Sequence, residues 1–492
     1  MRTCPGRGSA IDDILVIGGG IHGVAVARDA TLRGLRVVLV EAGDLASGTS
    51  SRTSKLVHGG IRYLETGEFG LVREALRERS ILLRTAPAFV HPVPFLLPHY
   101  KGSGRPRAWV DLGIALYSLL ARGAPPELRV GGGVSSSEAL SLEPGLDPSR
   151  LVGASRFTDA QMEDARLCVA LARDAASEGL SVLTHTSVVG LGEDEGGWRV
   201  SLRGRLDGAE REVRARFVVN AAGPWAEAVD RLGGASGVLL RRTRGTHVVV
   251  PAVTHGHALL LTSRRDGRVF FVLPWGKHSL IGTTDVDDDR PPEDVGPPAE
   301  DIRYLLEEAA RALPGLRGVR PVRAFAGVRS LVRGGTARPW ANAREHRIIQ
   351  RRARITLIGG KYTTHRSLAE RVVDRIVQSL GARTRPCTTA TRIVPDDIVA
   401  YNLRFLLPGG FAIAEDGVAY AVSQSFAHRL DDVLLRRTRL WLDARALRAA
   451  IEPTARWMAP RLGWSEERKN DEINRMTAML DQESNAIEEA MR

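Results

Sequence analysis

Residues 12 to 41 constrain the chain more than any other stretch. They read "DDILVIGGG", then "IHGVAVARDATLRG", then "LRVVLVE". An apolar run ends in three glycines, a helix rich in small residues follows, and a second apolar run ends in an acid. This strand, turn, helix, strand pattern commits the fold to a parallel sheet flanked by helices. Gly18, Gly20 and Gly23 keep G-x-G-x-x-G spacing. The first permits a tight turn, the second lets backbone approach a pyrophosphate, and the third lets helix and strand pack closely. The helix N-terminus then faces the anion. Glu41 ends the second strand, where a carboxylate accepts from a ribose 2′-OH and repels a 2′-phosphate. The bland alternative, a glycine turn without ligand, does not require strand, helix and acid together.

NAD and FAD both satisfy this fingerprint, and two later stretches separate them. "FVVNAAGPW" carries a β-run into the small-residue turn Ala221, Ala222 and Gly223. "ITLIGGKYTTHR" makes a third glycine turn, Gly359 and Gly360, that opens a helix. A helix N-terminus there stabilises negative charge at the flavin N1–C2=O end. Each alone is an ordinary connection between elements; in this order they favour FAD.

Bulk properties exclude several classes. The 492 residues suggest two or three domains, and 43% hydrophobic with 26% charged residues suits a packed globular chain. Net charge is +12, which favours anionic partners, but basic and acidic residues interleave and no long basic tail occurs. An anionic metabolite or membrane surface therefore ranks above nucleic acid. Cys4, Cys168 and Cys387 are odd in number and widely spaced, with no C-x-x-C. A disulfide framework or zinc site is not expected, no metal is assigned, and a reducing compartment fits. The start, "MRTCPGRGSA", lacks the apolar core of a secretory signal, and no run approaches 18 apolar residues.

Farther along, "EFGLVREALRERSILLRTAP" predicts a helix over 68–87, and Pro92, Pro94 and Pro98 mark a loop or edge. A helix is expected from about 163 and a strand from about 181. "WRVSL", "EVRARFVVN", "HVVVP", "RVFFVLPW" and "HSLIGTTD" alternate like strands of one or two sheets. "DDDRPPEDVGPP" is a charged, turn-rich linker, and the pattern turns helical from about 395. "RPRAWVDLGIALYSLLARG" places Trp109, Leu112, Gly113, Leu116, Tyr117 and Leu120 on one helical stripe, flanked by Arg105, Arg107 and Arg122. Such a helix either lies in an anionic membrane interface or packs on its own protein.

One stretch asks for a ligand on both sides. "TSSRTSKLVHGGIRYLE" places paired glycines between hydroxyls and a forked cation. Together with "DILVIGGGIHG", "DARL", "NAAGPW", "HVVVP", "IGTTD", "GVRSL" and "GGKYTTHR", it makes roughly residues 12 to 370 resemble the FAD-dependent, respiratory glycerol-3-phosphate dehydrogenases. The chain departs from that family at Ser330, where proline is usual. It reads "KYTTHR", with Tyr362 and His365, where "KLTTYR" is common. The segment before "DDVLLRRTRL" is also shorter than in the longer members.

The resemblance implies an α/β fold with a Rossmann-type FAD-binding domain of the glutathione-reductase and D-amino-acid-oxidase kind. An interleaved mixed β-sheet substrate domain and a C-terminal helical domain complete it. The implied boundaries are FAD-binding segments at 12–90, 161–235 and 346–380. Substrate segments take 91–160, with the candidate membrane helix, and 236–345; the helical domain takes 390–492. FAD would be held by Gly18, Gly20, Ile21, His22, Gly23, Glu41, Ala42, Thr49, Ser50, Ser54, Lys55, His58, Gly59 and Gly60. Val188, Ala222, Gly223, Trp225, Gly360, Lys361, Tyr362 and Thr363 complete the cofactor set. Substrate falls to Arg62, Tyr63, His247, Arg329 and Lys361, with His247, Arg329 and Lys361 catalytic. His247 is the expected base, since an unperturbed histidine titrates near working pH. On its residues alone Arg62 suits a structural ion pair better than an anion clamp.

The implied reaction is oxidation of sn-glycerol 3-phosphate to dihydroxyacetone phosphate, with hydride to flavin N5 and electrons to a membrane quinone. The implied place is the cytoplasm, peripheral on the inner face of the cytoplasmic membrane, with a homodimer as one assembly. Rival readings are an oxidase delivering electrons to oxygen, an amino-acid or hydroxy-acid oxidase, and a flavin-carrying sensor.

Overall fold

The computed structural model describes residues 11–64, 67–102, 106–121, 128, 131–234, 240–333, 346–396, 406–407 and 411–492. The chain builds two sheets by shuttling between them. It starts in the first with β1 (Asp12–Ile17), α1 (Ile21–Leu32) and β2 (Val37–Val40). It then enters the second with β3 (Leu56–Val57), α2 (Phe69–Thr85), β4 (Val90–Tyr100), α3 (Arg107–Leu120), β5 (Gly132–Ser135), α4 (Ser136–Leu142) and β6 (Leu151–Met162). It returns through α5 (Asp164–Ser177), β7 (Ser181–Leu183), β8 (Thr186–Asp194), β9 (Gly197–Gly204), β10 (Glu210–Asn220) and α6 (Ala226–Leu232).

A second excursion contributes β11 (Leu240–Pro251), β12 (Ala258–Thr262), β13 (Val269–Trp275), β14 (His278–Gly282), β15 (Val286–Asp287), α7 (Ala299–Ala310) and β16 (Arg323–Val332). Then β17 (His346–Arg351), β18 (Arg354–Gly359) and α8 (His365–Leu380) close the first sheet. The helices α9 (Glu415–Gln424), α10 (Leu430–Arg436), α11 (Ala444–Leu462) and α12 (Glu466–Met491) follow.

The first sheet runs β17-β18-β10-β1-β2-β7, with the β8–β9 hairpin on β10. β1 lies parallel between β10 and β2, Ile14 facing both Phe217 and Val37. A central parallel strand is covered on both faces, so "ILVI" is apolar without alternation. Ile14 and Val16 pack under α1, α5 and α8, while Leu15 and Ile17 pack against the β8–β9 side.

The second sheet runs β15-β11-β14-β13-β12-β4-β6-β3, with β16 on β11 and β5 on β6. Here the expectation of a loop or edge at Pro92, Pro94 and Pro98 fails. All three lie inside β4, which pairs with β6 from Val90 to Tyr100 and with β12 at Phe95 and Leu96. Successive backbone N–H groups point to opposite edges of a strand, and the three prolines share one parity. The donors they lack therefore fall on a single edge, and the other edge carries the long ladder.

α3 also differs from its expected stripe. Ile114 and Tyr117 are buried, at 1% and 2% exposure, whereas Trp109 at 68%, Leu112 at 59% and Leu119 at 46% face outwards. The helix is apolar on two sides, and the Tyr117 hydroxyl selects the inner one by donating to Asp159 at 2.8 Å. Arg105 and Arg122 lie outside the described residues. Among the described residues no helix is long and apolar enough to cross a membrane.

Candidate active site

A cleft of about 620 Å³ opens where the first sheet's strand ends meet β16 of the second sheet. Its floor is the turn between β1 and α1. Gly18 has φ +108°, and a Cβ there would press on the Ala221 carbonyl, so only glycine fits. A Cβ on Gly23 would collide with the Gly18 carbonyl, which places Gly23 in helix–strand packing rather than on the cleft. Gly20, Ile21 and His22 line the cleft at the start of α1. The first-turn N–H groups have no partner within the helix, and the Ser50 hydroxyl accepts from Ile21 N at 2.9 Å. That hydroxyl keeps its own proton to offer an anion.

Glu41 and Ala42 follow at the end of β2. The Glu41 carboxylate accepts from Gly19 N at 2.6 Å and Gly43 N at 2.7 Å, one bond per oxygen. Each oxygen retains a lone pair for a ribose hydroxyl. Burial raises the pKa of this carboxyl against the opposing pull of the two N–H donors. Thr49 and Ser50, Val188, then Ala222, Gly223 and Trp225 form the walls, and Gly360 and Tyr362 close the far end beside Arg329. The glycine floor, open helix terminus and positioned acid fit a dinucleotide, and the third wall at the α8 terminus fits FAD.

The residues expected to be catalytic come from both sheets. His247, in β11, is fully buried, stacks on Phe325 at 5.0 Å, and has Nε2 at 2.9 Å from Ser54 Oγ. Burial first, then the positive charges of Arg329 and Lys55, hold its pKa well below the ordinary value. Arg329, in β16, donates to Thr283 Oγ1 at 2.9 Å and Thr284 O at 3.2 Å, and lies 3.2 Å from Asp285. Its guanidinium fork is thereby fixed at the cleft. Lys361 follows Gly360 and sets Nζ 3.6 Å from the centre of the Tyr63 ring. The side chain of Arg62 lies outside the described residues; its backbone belongs to a 3-10 turn, Ile61–Leu64.

The paired glycines have a more specific task than open backbone. Gly59 N donates to Tyr117 OH at 2.8 Å, and a Cβ at Gly59 would strike that hydroxyl and Leu76. Tyr117 is held by the buried Asp159, itself paired with Arg79. Thr363 Oγ1 bonds both backbone N and O of His58, at 3.3 and 3.4 Å, joining this loop to the α8 terminus.

Lys55 is not brought to the cleft. Its Nζ pairs with Asp164 Oδ1 at 2.5 Å and donates to Ser51 O at 2.6 Å, beneath the Trp441 ring. Thr53 Oγ1 donates to the other Asp164 oxygen at 2.7 Å. Sequence reasoning also passed over Thr283 and Asp285, which hold Arg329, and Asp164, although "IGTTD" and "DARL" had both stood out. Their signal was a short polar run beside apolar strands, and no local pattern says which side chain it will meet.

The two changed positions of "KYTTHR" touch each other. Tyr362 OH donates to Asp164 O at 2.6 Å, and His365 Nδ1 lies 2.7 Å from Tyr362 O, ring against ring at 5.5 Å. Ser330 lines the cleft beside Arg329.

Comparison with known proteins gives concordant matches. The family described as FAD dependent oxidoreductase matches residues 13–364, and the C-terminal domain of alpha-glycerophosphate oxidase matches residues 338–469. Glycerol-3-phosphate dehydrogenase 2 of Mycobacterium tuberculosis is 36% identical over 530 residues, spanning 96% of this chain and 88% of the relative. D-erythritol 1-phosphate dehydrogenase of Brucella abortus is 40% identical over 378 residues, spanning 74% and 73%. The crystal structure of the glycerol-3-phosphate dehydrogenase from Bacillus halodurans complexed with FAD superposes with a TM-score of 0.77 at 27% identity, over 96% of this chain and 95% of that one.

Proposed function

This chain belongs to the FAD-dependent glycerol-3-phosphate dehydrogenases, and from that premise we propose that it oxidises sn-glycerol 3-phosphate at C2 to dihydroxyacetone phosphate. The observation that carries the reading is Arg329 and Gly360 at one end of a glycine-floored cleft, with Lys361 next in sequence and the buried His247 close enough to feel the Arg329 charge. FAD, held by the glycine floor and Glu41, would supply a two-electron acceptor for hydride.

The chain's own residues supply the rest. His247, neutral through burial, takes the C2 hydroxyl proton. Arg329, preorganised by Thr283, Thr284 and Asp285, receives the phosphate, with Arg62 as its partner. Lys361, beside Tyr63, stabilises negative charge developing on the substrate oxygen. Gly18, Gly20, Ser50 and Glu41 hold the cofactor's pyrophosphate and ribose.

Electrons leave to a quinone at an anionic membrane surface, and the protein docks peripherally on the inner face of the cytoplasmic membrane. The support is the +12 charge and the outward Trp109, Leu112 and Leu119 of α3. Oxygen is the competing acceptor. The relative that acts on D-erythritol 1-phosphate raises a second substrate, a polyol phosphate one carbon longer. The test is anaerobic mixing with glycerol 3-phosphate, D-erythritol 1-phosphate or glycerol, following bleaching of flavin absorbance. Fast bleaching by glycerol 3-phosphate is expected; bleaching by neither phosphate would sink the reading. Aerobic turnover releasing stoichiometric peroxide without quinone would reassign the acceptor to oxygen.

A further inference from the structure

Ser54 stands where a hydroxyl for the cofactor phosphates was expected, yet its Oγ lies 2.9 Å from Nε2 of His247. The other ring nitrogen, Nδ1, is buried and makes no hydrogen bond among the described residues. A neutral imidazole has one nitrogen that donates and one that accepts, and a hydroxyl can partner either. The Ser54 hydroxyl can serve either tautomer, so what its contact fixes is the position of Nε2. Phe325 stacks on one face of the ring at 5.0 Å, so the ring plane is set by packing and the rotation within that plane by Ser54.

The loop carrying Ser54 is built to hold that hydroxyl still. Lys55, next in sequence, takes φ +55°, a left-handed conformation rare for a residue with a side chain. That conformation is retained by the buried pair of Lys55 Nζ with Asp164 Oδ1, by Thr53 Oγ1 on Asp164 Oδ2, and by Lys55 N on Thr53 Oγ1 at 2.9 Å. Asp164 opens α5, a helix of the first sheet, while His247 belongs to the second. The Asp164 anchor thus fixes a first-sheet reference point against which a second-sheet histidine is oriented.

We propose that Ser54 is a positioning residue for His247, fixing the orientation of its ring for the proton step, and that Lys55, Thr53 and Asp164 hold Ser54 in place. The inference rests on the reading of His247 as the base for polyol phosphate oxidation.

The test compares wild type, Ser54→Ala and Ser54→Thr as full-length holoprotein. Three quantities are measured: the rate of flavin reduction by glycerol 3-phosphate across pH, KM, and the Kd of FAD from fluorescence on reconstitution. General-base function is worth roughly 10²–10⁴-fold, so loss of its positioning should lower flavin reduction in Ser54→Ala by at least about tenfold. The acidic limb of its pH profile should also move, while KM and FAD Kd stay within about threefold of wild type. Ser54→Thr, which keeps the hydroxyl, should recover most of the rate. Three outcomes overturn the proposal. Ser54→Ala could match wild type in rate and pH profile, or its loss could be accounted for by weaker FAD binding. Alternatively, Ser54→Thr could be as impaired as Ser54→Ala, making packing the cause. A wild-type protein that glycerol 3-phosphate does not reduce would instead defeat the underlying functional reading, so the two failures are distinct.

Discussion

Arg329 meets Thr283, Thr284 and Asp285 on one side and the cleft on the other. A charge-assisted phosphate contact is worth about 1.5–3 kcal/mol, so Arg329→Ala should raise KM for glycerol 3-phosphate at least about tenfold and leave glycerol oxidation far less affected. Equal losses on both substrates would assign Arg329 to the fold. His247 gives a pH signature. Its depressed pKa keeps the imidazole neutral through the range where an ordinary histidine becomes charged. The acidic limb of flavin reduction should then lie below pH 6.5; a limb at or above that value would remove His247 as the base. Burial also lowers His22 to about 4 and His365 to about 3. The unfolded chain takes up these protons near pH 6.5, whereas the folded protein does so only near the depressed values. Their stability contribution is complete above 6.5 and lost as pH falls towards 4, at up to about 1.4 kcal/mol per pH unit each. Tm by calorimetry should drop between pH 7 and 5, and His22→Gln should flatten the slope. Residue types were legible where a backbone motif demands them, as at Gly18 and Glu41. Ser54 and Lys55 were not: both have polar side chains beside a glycine loop, and their partners lie 193 and 109 positions away.

α3 concentrates the conflict between sequence pattern and packing. Its residues are apolar on two sides, so periodicity finds a stripe but cannot choose which side turns inwards. The choice is made by Asp159, which takes the Tyr117 hydroxyl. The outward group is then Trp109, Leu112 and Leu119. Leu112→Glu with Leu119→Glu should fold with wild-type FAD content but lose the salt-resistant part of co-sedimentation with anionic liposomes. Charge attraction is screened beyond ~8 Å at physiological ionic strength and weakens first. Wild-type binding by this variant would place the docking surface elsewhere. The same limit explains β4 and β6. β4 was hidden by three prolines that a strand tolerates on one edge. β6, "LVGASRFTDAQM", buries Ser155, Thr158 and Asp159 inside a strand, where alternation expects apolar residues. The βαβ unit and the α5, α8 and α11 helices carry their own periodicity and were readable.

At the scale of the whole molecule, the C-terminal helices are latched to the cofactor loop. Asp44, two residues beyond Ala42 of the cleft, is buried between Arg436 Nε at 2.5 Å and Arg437 at 2.6 Å on both its oxygens. Asp432 of α10 reaches His185 at 2.9 Å, and His185 N donates to Gly43 O at 2.7 Å. Arg439 pairs with Glu163, next to the Lys55 anchor at Asp164. Breaking a buried ion pair costs about 3–5 kcal/mol. Arg437→Gln should therefore weaken FAD retention, read by fluorescence of released flavin, far more than Arg448→Gln, whose pair with Asp481 is exposed. Equal retention would make the latch irrelevant to the cofactor. Alternating patterns show strands of one or two sheets, and the family resemblance supplies their interleaving, but neither shows a contact spanning 393 positions. That span also sets a schedule. Asp44 leaves the ribosome long before Arg437, and at about 5–20 residues per second the interval is roughly 20–80 s. Through that time the newborn chain carries its fingerprint strand and helix with a buried-type aspartate still in water, and until Gly360 emerges the third cleft wall is also missing. FAD should accordingly be retained only once synthesis is nearly complete, and an N-terminal fragment ending before Gly360 should be colourless.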